Sequence, residues 1–479
     1  MSDREGSEDT IAPVAGELGS SPSGCDRAPR SPDERREAGK ALRDAVPRES
    51  HGKWTPPENR RDPLDVLDES NQGRLAQLIP IRLGRMAKSP FNFFRGAAAI
   101  MAADLASTPQ SGLRVQACGD AHLLNFGCFA TPERRIIFDI TDFDETLPAP
   151  WEWDLKRLAT SIVIAAQHLG IDDSEAAEMA TDTACSYRER MDNYASMRAL
   201  SAWYDAIDVE QFVKQIPTGQ AREDFEDRIG DAQKKGTPEH LFQKLIEDHG
   251  GTPRFKDEPP LIFHPTPEQA PDLTSDFSKG ILLYRESLSE HVRTLFDRYR
   301  FRDLALKVVG VGSVGTLCAV ALFMAADDDP IFLQIKEAKA SVLEAHAGGA
   351  SRYKNHGERV VKGQRLMQSA SDIFLGWLGS GSGRDFYIRQ LRDMKLSAIV
   401  EDWDSKTLRA YGKICAWTLA RAHARSGDAA SIAGYMGSRS IFDDAISEFA
   451  VGYAGQNELD FKAFTNAIGA GRFKVVTET

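Results

Sequence analysis

The chain has 479 residues, which is longer than one hydrophobic core usually serves, so two or three structural units are expected. Hydrophobic residues make up 42% and charged residues 27%, the proportions of an ordinary globular protein. The 71 acidic residues outnumber the 59 basic ones and give a net charge of -12, which argues against a general nucleic-acid binder because such proteins rely on clustered Lys and Arg.

The six cysteines are scattered and include no C-x-x-C pair, which indicates reduced thiols in a cytoplasmic protein. The N-terminus "MSDREGSEDT" is charged where a secretion signal needs an apolar segment, so we expect no signal peptide. Residues 308–326 carry no charge over 19 positions, but three glycines and a following turn favour a buried hairpin over a membrane-spanning helix. No membrane partner is therefore expected.

The N-terminal segment, residues 1–60, is rich in Ser, Pro, Gly, Glu and Arg and poor in large apolar residues. Such a segment cannot bury enough surface to order itself, and we predict a disordered tail. Apolar residues at helical spacing begin near Arg74 and predict two helices, separated near Pro90.

A polar loop between two predicted strands follows. "LRVQACGD" predicts a strand leading into "CGDAHLLNFG", and "RRIIFDITDFDET" predicts a strand running into an acidic turn. Asp120 and Asn125 are five positions apart, the offset at which kinase-type loops place a hydroxyl-orienting Asp and a metal-binding Asn. Asp142 follows Asn125 by 17 residues, and Mg²⁺ usually takes one or two carboxylates besides phosphate oxygens. We therefore predict catalysis by Asp120 and a Mg²⁺ site at Asn125 and Asp142.

The residues around this loop allow further assignments. Asp144 is predicted as another metal ligand, although clustered aspartates near turns are often structural, and Asp139 has the same two alternatives. His122 is expected to donate a hydrogen bond that stiffens the loop. Asp154 is expected to cap the helix predicted from "WEWDLKRLATSIVIAAQHLG". The polar segment from about 200 to 276 allows no assignment of chemistry.

A glycine pattern in the second half of the chain has two interpretations. Gly310, Gly312 and Gly315 form G-x-G-x-x-G, which in a dinucleotide-binding unit opens a helix that holds a pyrophosphate. In a kinase-type lobe the glycines form a flexible hairpin over ATP phosphates, and a lysine on a later strand reaches those phosphates. Lys336, in "IFLQIKEA" and 21 residues past Gly315, favours the kinase-type interpretation. A dinucleotide-binding helix would have to be the wholly apolar "TLCAVALFMAA".

The predicted nucleotide-binding set combines this loop with later residues. It consists of Gly310, Gly312, Ser313, Gly315, Lys336 and Glu358. Lys336 is also predicted to take part in catalysis, and Glu358, on the next predicted helix, to hold Lys336 by an ion pair. A glutamate at a helix start can instead serve only to favour the helix dipole.

Three segments carry a resemblance to known families. "GDAHLLNFG", "FDITDFDET" and "WDLKRLA" resemble the phosphotransferase segment of aminoglycoside and choline kinases. More closely, "RMAKSPFNFFRG", "CGDAHLLNFG" and "DFDET" resemble the uncharacterised bacterial domain-of-unknown-function family 2252, from about residue 70 onward. The resemblance implies a protein-kinase-like fold, with Asp120 catalytic, Asn125 and Asp142 as metal ligands and Lys336 as the phosphate-binding lysine.

The order of the motifs departs from that of kinases, which place the glycine loop and lysine before the catalytic loop. Here Lys336 follows Asp120 by 216 residues, and a circular permutation would reconcile the two orders. In addition, Cys118 replaces the histidine of the aminoglycoside-kinase pattern, and "DFDE" replaces D-F-G. The second change puts the usual activation-segment switch in doubt.

The expected fold is α+β, a kinase-like arrangement of two lobes with circular permutation. We predict the disordered tail over 1–60, a helical lobe with the catalytic and metal-binding loops over 61–275, a glycine-loop lobe over 276–400 and a helical part packing with the catalytic lobe over 401–479. The expected function is transfer of a phosphoryl group from ATP, with Mg²⁺, to a hydroxyl of a small molecule. The alternatives are an inactive nucleotide-binding module, AMP transfer, and a nicotinamide-dependent oxidoreductase based on the glycine pattern alone.

Overall fold

The computed structural model describes residues 30–235, 237–266, 273–308, 310–312, 314–326, 329–379, 383–391 and 394–476. These residues form many helices and several antiparallel sheets, so the α+β class expected from the sequence is confirmed. Ser313 and residues 1–29 of the predicted tail lie outside the described residues.

The helices run from one end of the described chain to the other. They are α1 (Pro32–Ala41), α2 (Pro63–Asn71), α3 (Ile79–Met86), α4 (Pro90–Gly96), α5 (Ala98–Leu105), α6 (Trp151–His168), α7 (Asp173–Ser196), α8 (Ala199–Tyr204), α9 (Val209–Gln215), α10 (Gln220–Lys235), α11 (Pro238–Leu245), α12 (Leu273–Ser287), α13 (Glu290–Phe296), α14 (His356–Met367), α15 (Ser405–Ser426), α16 (Ala429–Met436) and α17 (Ile441–Gly469). Short 3-10 helices occur at Leu42–Asp44, Arg48–His51, Ala76–Leu78 and Leu123–Asn125.

The strands are short, apart from three in the second half of the chain. They are β1 (Arg114–Ala117), β2 (Phe126–Ala130), β3 (Ile136–Ile140), β4 (Leu147–Pro150), β5 (Ile207–Asp208), β6 (Ile246–Asp248), β7 (Pro253–Phe255), β8 (Ile262–Phe263), β9 (Arg300–Lys307), β10 (Cys318–Met324), β11 (Pro330–Ala338), β12 (Gly376–Gly379), β13 (Asp385–Gln390) and β14 (Leu396–Ser397).

The largest sheet has six antiparallel strands in the order β12-β13-β11-β10-β9-β8. Successive side chains of a strand point to opposite faces, so β11 places Leu333 and Ile335 in a core shared with α12 and α13. Gln334 and Lys336 then lie on the opposite face, and Lys336 pairs in register with Cys318 of β10. The three strands predicted on either side of the glycine loop and the acidic turn are confirmed.

Two strand pairs bring the polar loops of residues 118–125 and 141–146 side by side. β1 pairs with β4 so that Ala117 faces Leu147, and β2 pairs with β3 so that Phe126 faces Ile140. Each loop therefore leaves one strand pair and enters the other. This explains why residues 22 positions apart in sequence, such as Asp120 and Asp142, belong to one site.

A second core lies among the helices α6, α7, α15, α16 and α17, which pack on one another. The helix α15 contacts α6, α7, β1 and β3, and it therefore lies beside the strands that carry the two polar loops. Through residues such as Ala338 and Tyr387, this core continues to the six-stranded sheet.

Residues 30–60 of the predicted disordered tail are folded, which corrects that expectation. Ser31 and Glu34 cap α1 reciprocally, and α1 packs along α16. Small residues let the two helices approach, since a Cβ on Gly39 would lie only 1.9 Å from the Ser431 carbonyl oxygen. Composition failed as a guide because this contact depends on close backbone approach and on polar pairs such as Arg35 with Asp428 rather than on large apolar side chains.

The sequence favours a buried hairpin over a membrane span for residues 308–326, and the described part of this stretch agrees, because it contains the buried strand β10. Among the residues that the structure describes, no helix combines the length and the apolar character that a bilayer crossing requires.

Candidate active site

The loop after β1 holds Asp120 and Asn125 close together. The Asn125 side-chain amide donates to the Asp120 backbone carbonyl at 2.7 Å, and the His122 amide donates to the same oxygen at 2.8 Å. The Asp120 carboxylate accepts from Nε of Arg157, on α6, at 2.6 Å. Because the amide nitrogen of Asn125 is used inside the loop, its Oδ1 is the atom oriented for a cation.

Asp154 fixes the start of this loop. Its carboxylate accepts from the backbone amides of Cys118 at 2.7 Å and Gly119 at 3.0 Å, and it lies 3.2 Å from Nε2 of His423 on α15. The expectation that Asp154 caps a helix is wrong, because α6 begins three residues earlier at Trp151 and Asp154 points back to the loop. A carboxylate on α6, which is itself in contact with a histidine on α15, thus holds the start of the loop.

Burial shifts the pKa values of Asp120 and His122 in the loop. It raises the pKa of Asp120, although the neighbouring Arg157 guanidinium opposes the change. Burial, reinforced by the charges of Arg95 and Arg157, lowers the pKa of His122 well below its usual value. The neutral His122 stiffens the loop as an acceptor and not as the expected donor, because its Nδ1 accepts a hydrogen bond from the Leu124 amide at 3.2 Å.

The acidic turn after β3 meets Lys336 across the structure. Nζ of Lys336 donates to Asp144 at 2.8 Å and lies 3.8 Å from Asp142. The Tyr387 hydroxyl donates to the other oxygen of Asp144 at 2.6 Å, and Nζ of Lys336 lies 5.2 Å from the Tyr387 ring centroid. The lysine side chain is 3% exposed, whereas those of Asp142 and Asp144 are 32% and 29% exposed. The cation is therefore enclosed while the carboxylates reach open space.

The pKa values of Asp142 and Asp144 are shifted in opposite directions. Burial and the neighbouring charge of Asp144 raise the pKa of Asp142. Burial also acts to raise the pKa of Asp144, but the Lys336 ammonium and the hydrogen bonds from Lys336 and Tyr387 outweigh it and hold this pKa below its usual value. Such separation of neighbouring acids is common where cations bind or protons move.

The glycine pattern lies in a hairpin loop between antiparallel strands. β9 and β10 pair directly, and the segment after Gly315 is the strand β10 rather than a helix. Gly310 and Gly315 have φ angles of 71° and 90°, which other residues adopt at a cost. A dinucleotide-binding unit needs a helix at this point, so that interpretation is excluded.

Residues from the N-terminal helices hold this hairpin. The Leu75 amide donates to the Gly315 carbonyl and Arg74 to the Val314 carbonyl, both at 2.7 Å. Arg85 donates to the Gly310 carbonyl. The hairpin expected to be flexible is thus tied to α3 and to the loop before it.

Glu358 lies in the first turn of α14, but it does not pair with Lys336, which corrects that prediction. The carboxylates within ion-pair distance of Lys336 in the described chain are Asp142 and Asp144. The next residue of α14, the buried Arg359, reaches the site instead and donates to the backbone carbonyls of Asp144, Thr146 and Lys339. The helix α14 therefore lies close to the predicted position, but it contributes the cationic Arg359 to the site instead of the anionic Glu358.

Asp139 is separate from the site. It is fully buried and accepts from Arg421 of α15 at 2.6 Å, from the Ile140 amide, and from the backbone and hydroxyl of Ser369. Of the two alternatives for Asp139, the structural one is supported by these contacts.

Two adjoining cavities border these residues. The lysine cavity, of about 690 Å³, includes Lys336 and Arg389 in its wall. The arginine cavity, of about 400 Å³, has Asp120, Asn125, Asp144, Arg74, Arg82 and Arg95 among its lining residues. Asp142 and Gly310 belong to both walls and mark the boundary.

In the described part of the chain, no three side chains of His, Cys, Asp or Glu are arranged to hold a metal ion unaided. Mg²⁺ does not require such a group, because it commonly binds one or two carboxylates and completes its shell with water and phosphate oxygens. Asp142, Asp144 and Oδ1 of Asn125 lie around the arginine cavity and have the hard oxygen atoms that Mg²⁺ prefers. These residues therefore fit the ion in chemistry.

A protein-family model described as "Uncharacterized protein conserved in bacteria (DUF2252)" matches residues 74–467. The chain belongs to this family. The matched range includes every residue of the predicted site and confirms the closer of the two resemblances. A search of curated proteins found no match, and a search of solved structures also found none.

In this DUF2252 chain, several residues of the site were not predicted from the sequence. Arg157 follows Asp154 by three positions and lies on the same helical face, a spacing that could have linked it to the loop. The segment of residues 244–262, which allowed no assignment of chemistry, forms part of the wall of the lysine cavity. No local signal distinguishes that segment, because its role depends on the packing of α11 against β11 and on the pairing of β8 with β9 at the edge of the six-stranded sheet.

Proposed function

We propose that this chain is an ATP- and Mg²⁺-dependent phosphotransferase that acts on a hydroxyl group of a small molecule. The observation that carries the proposal is the meeting, around Asp142, of the Asp120 loop, the acidic turn with its buried Lys336, and the glycine hairpin. These elements come from distant parts of the chain, and together they supply the residue types that phosphoryl transfer uses: a hydroxyl-orienting Asp, metal-binding oxygens, a phosphate-binding lysine and a glycine loop.

We extend the proposal to a kinase-like, circularly permuted fold of two lobes. Support comes from the order β9, glycine hairpin, β10, β11 with Lys336, α14, β12, β13, which parallels the glycine loop, third-strand lysine and following helix of protein kinases. This unit follows the Asp120 loop in sequence instead of preceding it. The packing of α15 beside β1 and β3 supports the permutation, because it brings the later part of the chain back to that loop.

The lysine cavity suits the nucleotide. Leu245, Ile262 and Leu391 give it apolar wall for a base, and Lys336 and Arg389 give it cationic groups for phosphates. Its volume of about 690 Å³ lies in the range of small-molecule and cofactor sites.

The predicted catalytic, metal-binding and phosphate-binding residues then have the following roles. Mg²⁺–ATP, when bound, supplies the phosphoryl group and a cation that screens its charge. Asp142, Asp144 and Asn125 would hold the ion, and Lys336 would bind a phosphate oxygen of the nucleotide. Asp120 orients the acceptor hydroxyl and takes its proton, a role that burial favours by raising its pKa.

A thermal-shift titration with ATP, with and without Mg²⁺, tests the proposal on the wild type and on Asp142→Ala. A ligand that binds the folded state must raise its stability, so we expect a Mg²⁺-dependent rise in Tm that Asp142→Ala loses. Glu133→Ala, which removes an exposed carboxylate in the β2–β3 turn, is the matched control and should keep the rise. No rise with any nucleotide in the wild type would contradict the proposal.

Asp120→Asn separates the alternatives that remain. Nucleotide binding without any Asp120-dependent turnover would favour a catalytically inactive nucleotide-binding module. Label transferred from the α-phosphate of ATP instead of the γ-phosphate would identify AMP transfer.

A further inference from the structure

The arginine cavity contains a cluster of guanidinium groups for which phosphoryl transfer to a neutral alcohol has no use. Arg74, Arg82 and Arg95 come from the loop after α2, from α3 and from α4, and all three contribute to the wall that also holds Asp120. Arg95 belongs to "RMAKSPFNFFRG", a motif that no step of the proposed chemistry employs.

Arg82 is the most deeply buried of the three, with 1% of its surface exposed. It donates to Oδ1 of Asn71 at 2.7 Å and to the Gly96 carbonyl at 2.9 Å, and its Nε has no partner among the residues that the structure describes. A buried guanidinium normally pairs with a carboxylate, because burying an uncompensated charge is costly. Here its partners are neutral.

The other two arginines repeat this pattern. Arg74 donates to the backbone carbonyls of Ser70 and Val314, and Arg95 donates to Oδ1 of Asn92, while Nε of Arg95 has no partner in the described part of the chain. Within the described chain, none of the three forms an ion pair. Burial lowers the pKa of each guanidinium, the direction expected for cations that lack sufficient counter-charge.

The carboxylates of the same cavity are already engaged with other groups. Asp120 pairs with Arg157, Asp142 and Asp144 with Lys336, Glu69 with Arg61, Glu145 accepts from the Val342 amide and Glu337 from the Leu317 amide. The cavity therefore combines Asp120, the proposed proton acceptor, with cations that form no ion pair within the described chain. Its volume of about 400 Å³ suits a small molecule.

We propose that the acceptor is a small acidic molecule, carrying a carboxylate or a phosphate besides the hydroxyl, and that Arg74, Arg82 and Arg95 bind this anionic group. The inference rests on the proposed phosphotransferase function. In the transfer, the acceptor O–H bond breaks and its proton passes to Asp120, a bond forms from the acceptor oxygen to the γ-phosphorus, and the bond from that phosphorus to the β–γ bridging oxygen breaks. ADP leaves with the electron pair of the broken bond.

The test measures anion binding by calorimetry on the full chain saturated with Mg²⁺ and a non-hydrolysable ATP analogue, so that the nucleotide's phosphate positions are filled. The probes are inorganic phosphate, malonate and neutral glycerol. We expect phosphate or malonate to bind at least tenfold more tightly than glycerol, and the tighter of the two identifies the anionic group. Arg95→Gln should weaken binding of the anion at least tenfold. Arg95→Lys, which keeps the charge, should weaken the binding less.

Arg365→Gln is the matched control, because Arg365 is a partly buried arginine that donates to the Leu375 carbonyl and lies outside both cavities. It should leave the anion affinity unchanged. Anion affinity that Arg95→Gln does not alter, or no preference over glycerol in the wild type, would overturn the acceptor class. The wild-type preference needs no variant, so it decides the matter even if Arg95→Gln fails to fold.

The nucleotide step of the same experiment separates the two proposals. Normal binding of the ATP analogue without anion binding would overturn the acceptor class and leave the phosphotransferase proposal standing. Failure of the analogue to bind the wild type would overturn both.

Discussion

Asp139 and Asp144 lie five residues apart in one segment, and each accepts a hydrogen bond from a buried cation of a distant element, yet their surroundings differ. Asp139 and its partner Arg421 are both fully buried, and backbone and hydroxyl donors complete the shell of the carboxylate. Asp144 is 29% exposed and borders a cavity, although its partner Lys336 is enclosed.

We call Asp139 with Arg421 the closed pair, because both side chains are fully buried, and Asp144 with Lys336 the open pair, because Asp144 borders a cavity. The closed pair joins β3 to α15 and has no room for a ligand, so its value lies in holding the two elements together. In the open pair, Lys336 can exchange a carboxylate for another anion. The carboxylates that it leaves can then be hydrated or can bind a metal ion. A similar Asp-to-cation contact thus joins two elements in one place and borders a cavity in the other, where we propose that it takes part in chemistry.

The largest effect is expected at the closed pair. Arg421→Ala should lower the free energy of unfolding by about 3–5 kcal/mol, because Asp139 would remain buried without its cation. Urea denaturation at pH 7 measures the loss. A double variant, Arg421→Met with Asp139→Asn, should recover most of it by removing both charges. A loss below about 1 kcal/mol would mean that the neutral donors suffice for Asp139.

At the open pair, Lys336→Met should cost less than about 2 kcal/mol of unfolding free energy, since water can reach both carboxylates. The same variant should lose the stabilisation by Mg²⁺–ATP in a thermal-shift titration. Lys362→Met is the control, because Lys362 also lies over an aromatic ring, 5.3 Å from the Trp377 centroid, but outside both cavities. Equal unfolding losses for Lys336→Met and Arg421→Ala would remove the distinction between open and closed pairs.

A closed environment also changes how stability depends on pH, and the buried His51 allows this effect to be measured. Burial, aided by the charge of Lys156, lowers the pKa of His51 to about 3. In the unfolded chain the imidazole binds a proton near pH 6.5, so below that pH the unfolded state holds a proton that the folded state lacks, and stability falls as pH drops toward 3.

This group alone should lower the free energy of unfolding by about 1 kcal/mol per pH unit between pH 6 and pH 4. His51→Gln, which does not titrate, should lose less over this range than the wild type. Urea denaturation of both proteins at pH 7, 6, 5 and 4 measures the difference. Parallel pH profiles would show that His51 protonates without unfolding.

The smallest effect is expected at Tyr387. Tyr387→Phe removes one hydrogen bond to Asp144 and should cost about 1 kcal/mol of unfolding free energy and weaken Mg²⁺–ATP less than tenfold. Tyr284→Phe removes a comparable buried hydroxyl, which donates to the Phe374 carbonyl at 2.7 Å outside the cavities. It should cost a similar amount of stability and leave nucleotide affinity unchanged. Equal affinity losses in the two variants would argue against a role of Asp144 at the site.

Features that depend on a few neighbouring residues could be predicted. The hairpin from β9 to β11 followed from glycines, a turn and alternating side chains, and the short span from Asp120 to Asn125 forces the two residues into one loop. The family resemblance also followed from short local motifs, and the family match confirms it.

Features that depend on distant packing could not be predicted. The choice of Arg359 over Glu358 depends on the rotation of α14, and the roles of Asp154 and Arg157 depend on how α6 approaches the β1 loop. The folding of residues 30–60 depends on a contact with α16, almost 400 residues later in the chain.

Local sequence patterns were enough to predict the α+β class, the strands around the glycine loop and the family. The tertiary structure alone decided which acid meets which cation: Asp139 with Arg421 in a closed core, and Asp144 with Lys336 beside a cavity. The physical reason is that backbone turns and side-chain alternation act over a few residues, whereas ion pairs and cavities arise only after distant elements have packed and excluded water.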